Sequence, residues 1–132
     1  MPQSDPTRPK LVGIHHARVP VDDVLAARDW LVDTFGFGPV LLEEDEDRVT
    51  GAVVDHPSGI VLGLHYSVQH SSFLSVSIGV IDVAEWDNYL ASVGCRRGPI
   101  QRHQLGSSLM VLGPGGVVLE LHTLDQPSED EA

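Results

Sequence analysis

Two stretches of this chain are copies of each other. His56-Pro-Ser-Gly-Ile-Val-Leu-Gly-Leu-His65 matches Gly113-Pro-Gly-Gly-Val-Val-Leu-Glu-Leu-His122 at an offset of 57. Each is a Pro/Gly turn followed by an apolar strand that ends in Leu-x-Leu-His. Upstream, His16-Ala-Arg-Val-Pro-Val-Asp-Asp23-Val24 matches Ser75-Val-Ser-Ile-Gly-Val-Ile-Asp82-Val83 at an offset of 59. Each of these is a β-branched strand running into an Asp that opens a helix. An internal repeat restricts the fold strongly, because one small unit has to be used twice and packed against its own copy.

The helices carry start and stop signals. In the first copy Asp22 or Asp23 caps, Val24, Ala27, Leu31 and Phe35 form the apolar stripe, and Gly36 ends it. In the second, Asp82 and Glu85 form an Asp-x-x-Glu capping box. Val83, Trp86, Leu90 and Val93 recur at helical spacing there, and Gly94 stops the run. Glycine after the last turn supplies the left-handed residue that a helix C-cap favours. Strands are predicted over 38–43, 49–55 and 60–67 after the first helix, and over 97–103, 108–112 and 117–123 after the second. The acidic run Glu43 to Arg48 is the solvated turn of a hairpin. The pattern is βαβββ twice, an α+β fold whose sheet carries its helices on one side.

Domain limits follow from composition. Residues 1–10 form a flexible arm, 11–124 the folded domain (module one about 11–67, module two about 72–124), and 125–132 an acidic tail. The 132 residues fit a single domain. The 8 basic residues face 19 acidic ones, a formal charge of -11. That balance excludes nucleic acid, whose phosphates demand Lys and Arg, and disfavours an anionic membrane surface. No apolar run reaches the length of a spanning helix. The single cysteine, Cys95, permits no intrachain disulfide, and the N-terminus lacks the apolar core of a signal peptide; both point to the cytoplasm.

Ile14-His15-His16, Val21-Asp22-Asp23, Phe35-Gly36-Phe37 and Gly113-Pro-Gly-Gly-Val-Val-Leu-Glu-Leu121 together resemble the vicinal oxygen chelate superfamily. This is the group of glyoxalase I, extradiol dioxygenases, methylmalonyl-CoA epimerase and the bleomycin- and fosfomycin-resistance proteins. The resemblance covers about residues 11–124. It implies two modules forming a U-shaped, partly closed mixed sheet with the helices outside and the site on the concave face. It further implies a homodimer.

By residue correspondence the family's four metal-ligand positions fall on His16, Gly63, Ser75 and Glu120. The repeat offsets pair the same residues, His16 with Ser75 and Gly63 with Glu120. Only His16 and Glu120 are strong ligands, whereas catalytic zinc sites typically use three protein ligands. His65 and His122 lie two residues beyond Gly63 and Glu120 and share their face. A set of His16, His65 and Glu120 would suit non-haem iron, although the strand rise carries His65 about 6–7 Å from the family position. His15, next to His16, is expected on the opposite face. His56, His70 and His103 read as surface residues, Trp30 and Trp86 as core or interface anchors. Cys95, beside Arg96 and Arg97, reads as structural.

Two functions stay open. In one, a cleft lined by His16, Arg18, Gly63, His65, Ser75, Ser77, Glu120 and His122 sequesters a small molecule, with no cofactor. In the other, a lyase, isomerase or dioxygenase uses one divalent ion (Zn, Ni, Mn or Fe) held by His16 and Glu120. A metal-free variant would use the same two residues as a proton-moving pair. A third reading is a scaffold with no small-molecule ligand. Glu120 is the most informative carboxylate. It lies within an apolar strand, and its burial requires a metal, Arg18, a histidine or a ligand as partner.

Overall fold

The computed structural model describes residues 7–12, 14–68, 76–104 and 106–123. Ser75, His70 and the acidic tail lie outside them. The first module runs β1 (Ala17–Val21), α1 (Val24–Phe35), β2 (Gly38–Asp45), β3 (Arg48–Asp55) and β4 (Val61–Tyr66). The second runs β5 (Val76–Gly79), α2 (Val83–Ser92), β6 (Arg96–Arg97), β7 (Gln101–His103), β8 (Gly106–Leu112) and β9 (Val118–His122). A 3-10 turn, Pro114–Gly116, joins β8 to β9.

The repeat is visible in the register. The first sheet has the order β1-β4-β3-β2, with β1 parallel to β4 and Arg18 opposite Gly63. The second has the order β5-β9-β8-β6, with β7 also on β8, and there Ser77 stands opposite Glu120. The two sequence offsets map Arg18 onto Ser77 and Gly63 onto Glu120, so the two copies use the same pairing.

Capping follows local chemistry. Asp23, in extended conformation, accepts from the Ala26 amide, and Gly36 closes α1 at φ 79°. Asp82 accepts from both Ala84 and Glu85 amides. The predicted capping box is therefore half formed. Asp82 alone satisfies two orphan amides, and the Glu85 carboxylate makes no return bond among the described residues. The predicted second-module strand 97–103 is broken in two. Gly98 still donates to Met110, but Pro99 has no amide to continue the ladder. The acidic hairpin turns on Glu46 and Asp47, both at positive φ. Its flanks, up to Asp45 and from Arg48, are strand.

Alternation along the strands separates the faces. Val19 and Val21 of β1, Ala52 and Val54 of β3, and Leu62 and Leu64 of β4 pack beneath Val24, Ala27 and Leu31 of α1. Leu109 and Val111 of β8 and Leu121 of β9 pack beneath Val83 and Leu90 of α2. Val117 and Leu119, from the second module, complete the first core. Trp30 and Phe35 touch both cores. The turn before β9 explains why. Gly113 lies so close to Trp30 that a Cβ there would sit 2.6 Å from the ring. The Asp22 amide donates to the Gly115 carbonyl at 2.8 Å. The start of α1 is thus tied to the second module. Val93, predicted as the last residue of the α2 stripe, is 51% exposed instead, because α2 ends at Ser92.

Candidate functional site

The strand faces turned away from the helices carry Arg18, Gly63, His65, Ser77, Glu120 and His122, and His16 directly precedes β1. In the first module they form two rows across four strands. One row is Leu41, Val53, Gly63 and Arg18; the other is Glu43, Gly51, His65 and Pro20. Each row has a glycine in the middle; the Glu43 carboxylate closes over Gly51, and the hollow lies beside Gly63. The cavity there is about 450 Å³ and its walls include His15, His16, Arg18, Glu43, Gly63 and His65. The His16 ring lies over Gly63, 3.6 Å from where a Cβ would stand.

The equivalent rows of the second module are filled. Met110, Glu120 and Ser77 occupy one, Ser108, His122 and Gly79 the other. Where the first module has Gly63 and Gly51, the second has Glu120 and Ser108. Half-buried Glu120 accepts a 2.9 Å hydrogen bond from the Ser77 hydroxyl. That neutral donor is its partner, not Arg18 or a histidine. Ser108, 1% exposed, lies 2.6 Å from His103 Nε2. The His103 ring stacks on His122 at 5.7 Å, and His122 Nδ1 donates to the Thr123 carbonyl.

The structure therefore brings His16, Arg18, Gly63 and His65 together. Ser77 meets His15 and His16 only in a smaller cleft of about 230 Å³ at the seam of the modules. Glu120 and His122 line neither cavity. Ser75 lies outside the described residues. Sequence reasoning missed Glu43, which was placed in a solvated turn. Its carboxylate instead folds over Gly51, whose Cβ position is 3.3 Å from Glu43 Oε2. The signal was Gly51, which stands directly opposite Glu43 on the neighbouring strand once the hairpin register is known. His15 also differs from expectation. Its Nδ1 is 2.9 Å from His16 Nδ1, and both rings border the same cavity. Strand alternation does not apply to it, because β1 begins at Ala17.

One atom in this cavity wall lacks a partner. His65 Nδ1 is buried and makes no hydrogen bond among the described residues. Buried polar groups are almost always paired, and an orphan costs about 1–3 kcal/mol. A ligand or water reaching it would remove that cost.

Among the described residues of one chain the donors do not gather into a metal-binding group: no three or more His, Cys, Asp or Glu are placed to hold a metal ion. The set of His16, His65 and Glu120 is not assembled, since Glu120 belongs to the other module's face and is engaged by Ser77. Cys95 joins the second core, and the neighbouring Arg97 pairs with Asp87, so no cation is committed to the thiol.

This architecture, two βαβββ modules with paired mixed sheets and external helices, is the glyoxalase-like fold that the sequence resemblance implied. No family model matches the sequence, and no curated protein does. Solved structures match throughout. An antibiotic-binding protein from Streptomyces sp. CB03234 aligns with a TM-score of 0.73 at 20% identity, covering 89% of this chain and 100% of that one. A possible glyoxalase from Bacillus cereus aligns at 0.67 and 25% identity, covering 85% and 99%. A glyoxylase/bleomycin resistance protein/dioxygenase domain from Frankia sp. EAN1pec aligns at 0.67 and 18%, covering 89% and 95%. No helix among the described residues is long and apolar enough to cross a membrane.

Proposed function

We propose that the protein binds a small amphipathic molecule in the hollow of the first module and sequesters it without a tightly bound metal, in the cytoplasm. The observation that carries this reading is the cavity beside Gly63, in whose wall stands His65 with its buried Nδ1 unpartnered among the described residues. Arg18, Glu43 and His16 supply polar contacts at the rim, while Leu41, Val53 and Val61 supply apolar wall. Small-molecule sites combine apolar lining with a few placed polar groups in this way. The similarity to an antibiotic-binding protein supports the same reading at the level of fold.

The protein acts as a homodimer in this reading, with Ser77, Glu120 and His122 of a second copy facing the hollow. Two features support it. Within one chain those residues stand apart from the cavity, and the segment leading into β1 exposes Leu11, Val12 and Ile14 almost fully. A symmetric pair is the commonest assembly of soluble chains.

Thermal denaturation against a panel of antibiotics and amphipathic metabolites tests the proposal. A ligand at 100 times its Kd adds about 2.7 kcal/mol of apparent stability. We expect at least one compound to raise the midpoint by several degrees. Replacing Gly63 with Leu fills the hollow, and the shift should then vanish while the circular dichroism spectrum stays native. A panel without a hit, or a hit that G63L leaves intact, overturns the assignment.

A further inference from the structure

A larger, wide-open depression lies on the opposite, helical side, where the end of α1 meets α2. It is about 600 Å³ and is lined by Asp33, Thr34, Phe35, Gly36, Glu85, Trp86 and Tyr89. Neither the repeat nor the concave hollow accounts for it.

Its walls are aromatic and set at an angle. Trp86 and Tyr89 meet edge to face at 89°, with ring centroids 5.6 Å apart. Phe35 stacks on Trp86 at 5.4 Å. Tyr89 is fixed by donating its hydroxyl to the Thr34 carbonyl at 3.0 Å. Two perpendicular ring planes make a corner, and ring faces carry partial negative charge.

Every other charge at the corner has the same sign. Asp33 and Glu85 line it, and neither carboxylate has a hydrogen bond or ion pair among the described residues. Glu85 is free because Asp82 caps α2 without it. The last turn of α1 also points there, and it carries no basic residue to offset the negative end of its dipole. No Lys or Arg lines the cavity. Among the arginines nearest in sequence, Arg28 pairs with Asp29 and Arg97 with Asp87.

We propose that this corner is a binding site for organic cations, with a quaternary or tertiary ammonium group seated against Trp86 and Tyr89 and flanked by Asp33 and Glu85. Cation–π contact favours such a group over a neutral one of equal shape, and the paired carboxylates add to that preference. The site is independent of the concave hollow and of its proposed ligand.

Choline and its neutral carbon isostere, 3,3-dimethyl-1-butanol, separate charge from shape. In nitrogen-15 NMR of the full chain, choline should shift the Trp86 indole signal saturably, and the isostere should not. Asp33→Asn with Glu85→Gln should weaken choline about tenfold, and Tyr89→Leu should weaken it further, while Tyr89→Phe keeps binding. A variant that misfolds is recognised from its amide spectrum, and the isosteric D33N/E85Q pair then decides the matter alone. The proposal is overturned by equal binding of the isostere, by unchanged affinity in D33N/E85Q, by no shift at all, or by shifts confined to His16 and His65.

Discussion

Individual glycines decide much of what this protein can do. Gly63 leaves a hollow in the first module and Gly51 makes room for the Glu43 carboxylate, where the second module has the repeat-equivalent Glu120 and Ser108. Gly113 serves a different end, since its missing Cβ admits the Trp30 ring that joins the modules. Gly113→Ala should cost about 1–3 kcal/mol, because the new methyl would overlap both Trp30 and Val117. Gly79→Ala is the control, as no atom lies within 4 Å of its Cβ position. The check is a urea titration, in which G113A should lower the midpoint at an unchanged slope and G79A should not. Equal midpoints for the two variants would show that the close approach at Trp30 carries no weight.

At the scale of elements, the helix starts are set by single aspartates. Asp82 accepts from two α2 amides and Glu85 returns nothing. Asp82→Ala should therefore cost about 1 kcal/mol, and Glu85→Gln should stay within about 0.5 kcal/mol. A full capping box would make both costly, so parallel thermal melts distinguish the two arrangements. The same result would clear E85Q as a structurally silent probe of the aromatic corner. Strand breaks also have local causes. Pro99 splits β6 from β7, and the positive φ of Glu46 and Asp47 turns β2 back onto β3. That turn places Glu43 on a strand, and so brings one member of the acidic run to the cavity instead of to bulk water.

Over the whole molecule, the modules share one core. Val117 and Leu119 of the second module pack in the first cluster, and Trp30 and Phe35 border both. Unfolding should consequently be a single transition. Tryptophan fluorescence reports Trp30 on α1 and Trp86 on α2, and its urea curve should superimpose on that of far-ultraviolet circular dichroism. Two separated steps would mean that the modules are independent units. The charge of -11 is divided unevenly. Asp23 and Asp82 cap helices, Glu120 is held by Ser77, and at the aromatic corner Asp33 and Glu85 have no ion-pair partner among the described residues.

The sequence alone determined the βαβββ duplication, both helix starts, most of the apolar stripes and the strand positions of Arg18, Gly63, His65, Ser77, Glu120 and His122. These depend on local periodicity, capping chemistry and the two-residue period of a strand, all of which a linear sequence records. It also paired Gly63 with Glu120, and His16 with Ser75, across the repeat. Only the tertiary structure decided which of them meet. The hollow around His65 depends on Gly63 coming beside Arg18 and Val53 of neighbouring strands, and the inclusion of Glu43 depends on where the hairpin turns. The engagement of Glu120 by Ser77, and the aromatic corner between α1 and α2, depend on how the strands and the two copies of the module pack. Each is a contact between residues far apart in the chain, where distance is set by packing and not by spacing.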